Sequence, residues 1–203
     1  DTVLVAPGTY NEAINFNGKA LTLQSSGGAD VTSINATGLS ASVVTIPTTG
    51  GAGATALRGF TITGGSGTLV GSTRRGGGVY FTGGDGQITD CTITGSTGWG
   101  GGGLFKEDNS STLLVQRCKF SNNSVAPTSC GGGQGGGMYS SGNLVVIDCT
   151  FMGNSTTGSG CGGGTPGGGD GGGLKLQSGN SLLVNWIIQG NTASGARGGG
   201  RGA

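Results

Sequence analysis

The sequence contains no histidine and few charged residues, at 9% of 203 positions. Histidine is the commonest metal ligand and a frequent acid–base catalyst, so its absence removes those chemistries from first consideration. Ten basic and nine acidic side chains give a net charge of +1, without the basic surface that binding to phosphates requires. The longest apolar run, Leu182 to Ile188, is interrupted by Asn185 and is too short to cross a bilayer. We therefore expect no nucleic-acid partner, no transmembrane segment in this chain, no metal and no cofactor.

Glycine is the abundant residue, with 51 copies. Glycine destabilises helices because it loses the most backbone entropy on folding, so a helical protein is not expected. Hydrophobic residues still make up 33% of the chain and occur in short clusters, which argues against plain disorder. The composition favours short strands joined by tight turns.

Five segments of the chain align without gaps, and together they form an internal repeat. Successive copies are offset by 31, 27, 31 and 37 residues, which is the length expected of one coil of a solenoid. The copies are residues 57–63, 88–94, 115–121, 146–152 and 183–189.

Bulky side chains occupy the first, fourth and sixth positions of every copy and predict three interior columns. The fourth and sixth positions follow the period-two rule of a strand with one buried face. The step from the first to the fourth position breaks that rule and predicts a corner, which turns Gly59, Asp90, Arg117, Asp148 and Asn185 outward. The predicted interior columns are Leu57, Ile88, Val115, Val146 and Leu183; Phe60, Cys91, Cys118, Cys149 and Trp186; and Ile62, Ile93, Phe120, Phe151 and Ile188.

Two further features recur once in each coil. Asn123, Asn154 and Asn191 follow the fourth-position residue by the same interval and predict an asparagine column at a turn, where each side-chain amide can bond to the next. Unrelated turn asparagines are the alternative, because asparagine is common in turns. Glycine triplets at 76–78, 101–103, 135–137 and 171–173 precede a bulky residue and predict close backbone approach or positive φ.

The segments Phe120 to Asn123 and Phe151 to Asn154 resemble the Phe-x-x-Asn motif of polymorphic outer membrane protein repeats, and Ile188 to Asn191 resembles a degenerate copy. The glycine triplets are similar to that family's Gly-Gly-Ala-Ile motif, with glycine as the third residue. Residues 3–14 and 18–23 resemble the first coil of pectin-lyase-like β-helices, including pectinesterases. These resemblances imply an all-β fold, a right-handed parallel β-helix, and the preferred handedness of parallel crossovers agrees.

We predict a single β-helix domain over residues 1–203, with roughly six to eight coils and open at both ends. Residues 1–50 form the first coils, and residues 51–203 carry the glycine, cysteine and asparagine repeats. The chain starts within a strand-like pattern and ends as another repeat begins, so we expect it to be a piece of a longer protein. The expected partners are further β-helical coils of the same or another chain, including end-to-end self-assembly, and glycans.

The five cysteines divide into two groups. Cys91, Cys118 and Cys149 share an interior column and are predicted to act as small buried hydrophobes. Cys130 and Cys161 lie in glycine-rich loops one coil apart, and we predict a disulfide between them, which would require an oxidising compartment.

Asp90, Arg117 and Asp148 form one outward column on three successive coils and are the only candidate catalytic group. Two carboxylates and an arginine are the residue types that attack on a polyuronide requires, and pectinesterase-like proteins use two aspartates and an arginine. The local motifs of those enzymes are not recognisable here. Stacked opposite charges on an exposed ladder are the alternative interpretation, and it is the one that we adopt, with no catalytic residues assigned.

The expected location is extracellular or at the cell surface. This expectation rests on the low charge and on the abundance of serine, threonine and asparagine. It also rests on possible glycosylation sequons at Asn35, Asn109, Asn122 and Asn154. Trp99, beside a glycine run, has two possible roles, stacking on a sugar ring or covering a loop. We expect a non-enzymatic structural or adhesive module of a surface protein or filament; a polysaccharide-acting enzyme, pectinesterase- or lyase-like, and a carbohydrate-binding module are the alternatives.

Overall fold

A computed structural model of the chain describes residues 1–47, 55–107, 110–126, 131–159 and 169–195. Short strands make up the regular structure of this part of the chain. The strands, in chain order, are β1 (Thr2–Val5), β2 (Gly8–Tyr10), β3 (Ile14–Asn15), β4 (Thr22–Ser25), β5 (Thr32–Asn35), β6 (Val44–Ile46), β7 (Thr55–Arg58), β8 (Thr61–Thr63), β9 (Thr68–Val70), β10 (Thr73–Arg75), β11 (Val79–Phe81), β12 (Gly86–Thr89), β13 (Thr92–Thr94), β14 (Thr97–Gly98), β15 (Leu104–Lys106), β16 (Thr112–Gln116), β17 (Lys119–Ser121), β18 (Ser124–Val125), β19 (Gly131–Gly132), β20 (Met138–Ser140), β21 (Asn143–Ile147), β22 (Thr150–Met152), β23 (Ser155–Ser159), β24 (Leu174–Leu176), β25 (Ser181–Val184), β26 (Ile187–Gln189) and β27 (Thr192–Ser194).

Three parallel sheets run the length of the molecule. Sheet 1 has the order β1-β4-β7-β12-β16-β21-β25, and sheet 2 has the order β2-β5-β8-β13-β17-β22-β26. Sheet 3 has the order β24-β20-β15-β11-β6-β3, and a smaller sheet joins β14, β18, β23 and β27. Each coil passes through sheet 1, then sheet 2, then sheet 3, so the chain forms a parallel β-helix, as the repeat predicts. The described residues contain no helix that could span a membrane.

The core lies between the three sheets and is built from columns that add one residue per coil. In sheet 1, Leu57, Ile88, Val115 and Val146 are adjacent in register and fully buried. In sheet 2, the rings of Phe120 and Phe151 stack with centroids 4.8 Å apart and planes inclined by 6°. The same hydrophobic cluster includes inward residues of sheet 3, among them Val79, Leu104 and Met138. Burial of apolar area by these columns is the main stabilising term of the fold.

The corner between sheets 1 and 2 has a left-handed backbone in five successive coils. Gly59, Asp90, Arg117, Asp148 and Asn185 have φ between 49° and 73°. In this region, the backbone turns without continuing the strand, which explains why the period-two pattern breaks there. The corner predicted from the sequence is confirmed.

The glycine triplets form a backbone-only seam between coils. The amides of 101–103 donate to the carbonyls of Gln134, Gly135 and Gly136 in the next coil. Gly101 has φ 57°, and a Cβ on Gly102 would lie 2.5 Å from the carbonyl oxygens of both Gly136 and Ser124. A side chain at either position would therefore strain the turn or clash with the neighbouring coil.

Candidate functional site

The predicted catalytic column stands on the exposed corner between sheets 1 and 2. Arg117 Nε donates to Asp90 Oδ1 at 2.6 Å, and Arg117 Nη2 donates to Asp90 Oδ2 at 2.8 Å. The next pair in the column is Asn185, whose Nδ2 donates to Asp148 Oδ1 at 2.5 Å. The four side chains therefore form two separate pairs, each linking one coil to its neighbour.

The forked contact to Arg117 favours the ionised form of Asp90. Its hydrogen bonds and charge hold the pKa of the Asp90 carboxyl below its ordinary value of 3.8, although partial burial acts in the opposite direction. The same contact raises the pKa of the Arg117 guanidinium. Asp90 is therefore ionised at neutral pH, with both oxygens engaged by one partner.

Two shallow grooves flank the corner column. A groove of about 380 Å³ on the sheet 1 side is lined by residues that include Arg58, Gln87 and Gln116. A groove of about 430 Å³ on the sheet 2 side is lined by residues that include Asp30 and Lys119, and the charged column separates the two. The surface is polar and open, with charges of both signs.

The asparagine column predicted from the sequence forms a continuous chain of hydrogen bonds. Asn123 Nδ2 donates to Asn154 Oδ1 at 3.0 Å, and Asn154 Nδ2 donates to Asn191 Oδ1 at 2.9 Å. Each amide nitrogen also donates to a backbone carbonyl, that of Ile93 for Asn123 and that of Phe120 for Asn154. Asn123 and Asn154 are fully buried, so this column belongs to the core.

The burial of Asn154 corrects one prediction. Its sequon is present, but the residue is 0% exposed and its Nδ2 donates to Phe120 O and Asn191 Oδ1, so the folded chain has no space for a glycan there. Asn122 is exposed and Asn35 is half-buried, and glycosylation at these two sites stays a prediction. Asn109 lies outside the described residues.

The cysteine column lies inside the solenoid. Cys91, Cys118 and Cys149 are buried and free, and Cys118 N donates to Cys149 Sγ at 3.4 Å. Burial raises the pKa of the Cys118 thiol well above its ordinary value, which disfavours the reactive thiolate. Cys130 and Cys161, and therefore the predicted disulfide, lie outside the described residues. Among the described side chains, no group of three His, Cys, Asp or Glu residues is placed to hold a metal ion.

One member of the interior columns does not lie in the core. Trp186 follows Cys149 in the fourth-position column, but it is 44% exposed. It belongs to the last described coil, where no further described strand covers β25 and β26. The predicted interior position of Trp186 is therefore wrong for the described structure, whereas Ile188 is half-buried and packs on the core.

Sheet 3 carries two features that the repeat alignment did not reveal. Tyr80, Phe105 and Tyr139 form an aromatic column on its outer side, and the Phe105 and Tyr139 rings stack at 4.5 Å. Glu107 accepts hydrogen bonds from Tyr80 Oη and from Arg75, and burial and Glu107 together raise the pKa of Tyr80 to about 12.

Lys106 is the second feature, a fully buried lysine in an inward position of sheet 3. Its register neighbours are Phe81 and Ser140, and its Nζ lies 5.8 Å from the centroid of the Phe81 ring. The aromatic triplet was recoverable from the sequence, because each member follows the bulky residue after a glycine triplet. The inward position of Lys106 could not be predicted from the sequence, because lysine in a strand ordinarily faces water.

A smaller depression lies between the β9–β10 hairpin and the edge formed by β14 and β18. Its volume is about 360 Å³, and it is lined by residues that include Leu69, Arg74 and Trp99. Trp99 N donates to Arg74 O at 2.6 Å, which fixes the position of the tryptophan beside the hairpin. The sequence singled out Trp99 but gave no indication that the hairpin would lie next to it.

Stacked coils, three parallel sheets and one-residue-per-coil columns together define a solenoid of the parallel β-helix class. The model of a known family, described as right-handed beta helix region, matches residues 14–202. The chain belongs to this family, and its helix is right-handed. Neither a curated protein nor a solved structure matches the chain.

Proposed function

We propose that this β-helix is a non-catalytic structural or adhesive module of an extracellular or cell-surface protein. The observation that carries the proposal is the use of Asp90 and Arg117 in a bond between coils. Both oxygens of the only candidate catalytic acid with a lowered pKa are engaged by one guanidinium. The alternatives are a polysaccharide-acting enzyme and a carbohydrate-binding module.

A carboxyl group that acts as an acid in glycan cleavage needs a raised pKa, so that it can donate a proton, and one that acts as a nucleophile needs an oxygen that is free to attack. Asp90 departs in the opposite direction, and its charge is neutralised by Arg117. Asp148 accepts a hydrogen bond from Asn185 in the next coil. These contacts favour a role for the column in stacking the coils.

Backbone geometry gives a second reason for polar residues at this corner. All four side-chain-bearing members have positive φ, a conformation that asparagine and aspartate tolerate better than most residues. The two aspartates and the asparagine therefore follow from the turn, without any demand from catalysis, and Arg117 is accounted for by its forked bond to Asp90. The coils present long regular faces to solvent, and a regular array of weak contacts suits adhesion to a repetitive polymer.

The test is an incubation of the full chain with polygalacturonate, methyl-esterified pectin and hyaluronan. We expect no new reducing ends, no absorbance from unsaturated uronides and no released methanol. Product release that is lost in Asp148→Asn, but kept in the matched corner variant Asn185→Asp, would contradict the proposal and favour the enzyme.

Adhesion and location have their own measurements. Beads coated with the chain are expected to bind polysaccharide-coated surfaces, and beads coated with heat-unfolded chain are the control. Antibody labelling of intact producing cells should equal that of permeabilised cells. Labelling that requires permeabilisation would contradict the surface location.

A further inference from the structure

We propose that the depression beside Trp99, here called the Trp99 pocket, binds a saccharide unit that carries a negatively charged substituent. The pocket is lined by Leu69, Ser72, Arg74, Thr97, Trp99 and Ser124, among others. It lies away from the corner column, on the side of the solenoid where the β9–β10 hairpin projects. This inference deepens the proposed function and rests on it in one respect: an adhesive site must hold its ligand without cleaving it.

The size and shape of the pocket suit a small ligand. A volume of about 360 Å³ falls within the range of ordinary ligand sites. The hairpin strands β9 and β10 pair antiparallel and form one wall, while strands β14 and β18 of the parallel solenoid form the other. Both walls are built on hydrogen-bonded strands, so the pocket exists without the ligand.

The chemistry of the lining matches an amphipathic ligand. Trp99 and Leu69 offer apolar surface, and Leu69 is 60% exposed. Ser72, Thr97 and Ser124 supply hydroxyl groups that both donate and accept hydrogen bonds. Sugars combine an apolar C–H face with a ring of hydroxyl groups, and aromatic and hydroxyl side chains complement these two surfaces.

Arg74 specifies the charge of the ligand. Its Nη1 donates to the carbonyl oxygens of Ser40 at 2.8 Å and Gly67 at 3.0 Å, so the guanidinium is held in a fixed position. Within the part of the chain that the structure describes, Arg74 forms no ion pair, unlike its neighbour Arg75, which pairs with Glu107. A cation held beside a pocket without an acidic partner favours a carboxylate or sulfate.

The indole nitrogen of Trp99 is a second unmatched group at the site. Trp99 Nε1 is buried and has no hydrogen-bond partner within the described structure. Buried indole N–H groups usually have a partner, because an unpaired donor costs free energy. A ligand hydroxyl that reached this atom after a small tilt of the ring would satisfy it.

The experiment uses the full chain labelled with ¹⁵N at the indole nitrogens. The chain has 2 tryptophans, and Trp186→Phe assigns the Trp99 signal and serves as the control that should keep binding. The probes are methyl β-glucopyranosiduronate and methyl β-glucopyranoside, which differ only in the carboxylate. We expect the uronide to shift the Trp99 signal and to bind about tenfold more tightly than the glucoside.

Variants separate the contribution of each group. Trp99→Leu should abolish binding of the uronide, and Arg74→Met should equalise the affinities of the two probes. Arg74→Lys keeps the charge and should restore part of the preference, provided that circular dichroism shows each variant folded. Methyl glucoside 6-sulfate, as a third probe, distinguishes a general anion preference from a carboxylate preference, and either result supports the inference.

Two results would overturn the inference: no shift of the Trp99 signal with any probe, or equal affinities for uronide and glucoside in the unsubstituted chain. The same samples are analysed for products with a uronide disaccharide in place of the monosaccharide. Cleavage would contradict the proposed non-catalytic function while leaving the binding site in place. Absence of binding would remove the site and leave the proposed function standing.

Discussion

The molecule contains two polar columns that rise one residue per coil, and they differ in almost every physical respect. The asparagine column Asn123–Asn154–Asn191 lies in the interior, where each amide bonds to the next and to backbone. The corner column Asp90–Arg117–Asp148–Asn185 lies in solvent and breaks into two pairs. Equal periodicity in the sequence therefore gives no information about energetic importance, because burial sets the cost of leaving a polar group without a partner.

Among variants of the two columns, Asn154→Ala is expected to destabilise the protein most. This change removes the acceptor of Asn123 N and Asn123 Nδ2 and the donor to Phe120 O, so three buried hydrogen bonds are lost, although Asn123 Nδ2 keeps its bond to Ile93 O. We expect the free energy of unfolding to fall by about 3–4 kcal/mol, at about 1 kcal/mol or more for each group. Urea unfolding followed by circular dichroism measures the change.

The matched control is Asn122→Gly, one residue before Asn123 and exposed. Glycine occupies the same turn position in the adjacent coils, as Gly95 and Gly153, with positive φ in both. We expect a change of less than about 0.5 kcal/mol. Similar losses in the two variants would mean that the turn, and not the amide ladder, supports this region.

At the corner column, Asp148→Val separates backbone geometry from side-chain bonding. Asp148 has φ 54°, and a β-branched residue there should cost about 1–2 kcal/mol. Asp148→Asn keeps the tolerated residue type and should cost much less. If Asn proves as costly as Val in thermal unfolding, then the carboxylate itself, and not the turn, determines the choice of residue.

Asp90→Asn should give the smallest effect. Arg117 lowers the pKa of Asp90 below 3.8, so the stabilisation is fully present above the unfolded pKa and is lost as the pH falls through the folded pKa. The variant should therefore melt slightly below the parent chain at pH 7 and together with it in strong acid. Because both groups are exposed, 0.5 M salt should also remove the difference. A difference that persists under both conditions would argue against an ion-pair origin.

Most of the fold could be predicted from the sequence, because the repeat places the same residue types at the same depth in every coil. The columns through Leu57 and Ile62, the corner at Asp90 and the amide ladder at Asn154 each follow from local periodicity. What the alignment could not give is contact between segments that do not repeat. The β9–β10 hairpin is an insertion that occurs in one coil. Its position beside Trp99 depends on contacts with the neighbouring coil, which the repeat pattern does not encode.

The candidate sites show the same limit. The pairing of Arg117 with Asp90, and not with Asp148, depends on side-chain conformation, although both neighbours are acidic. Leu104 packs in the core and fixes the register of its strand. Lys106 lies two residues later on the same strand, so its side chain also points inward. The buried state of Asn154 was implied by the amide ladder but conflicts with its sequon, so two local patterns on one residue gave opposite predictions.

Spacing between coils has a consequence for how such a protein can change over generations. Partners in adjacent coils are separated by 27, 31 and 37 residues, yet the strands remain in register. Most of the length difference falls between the asparagine column and the next glycine triplet, so this segment absorbs insertions without disturbing the core. Duplication of one coil would therefore create a new interface that already fits both neighbours, and descendants could lengthen or shorten by whole coils while the intervening loops diverge.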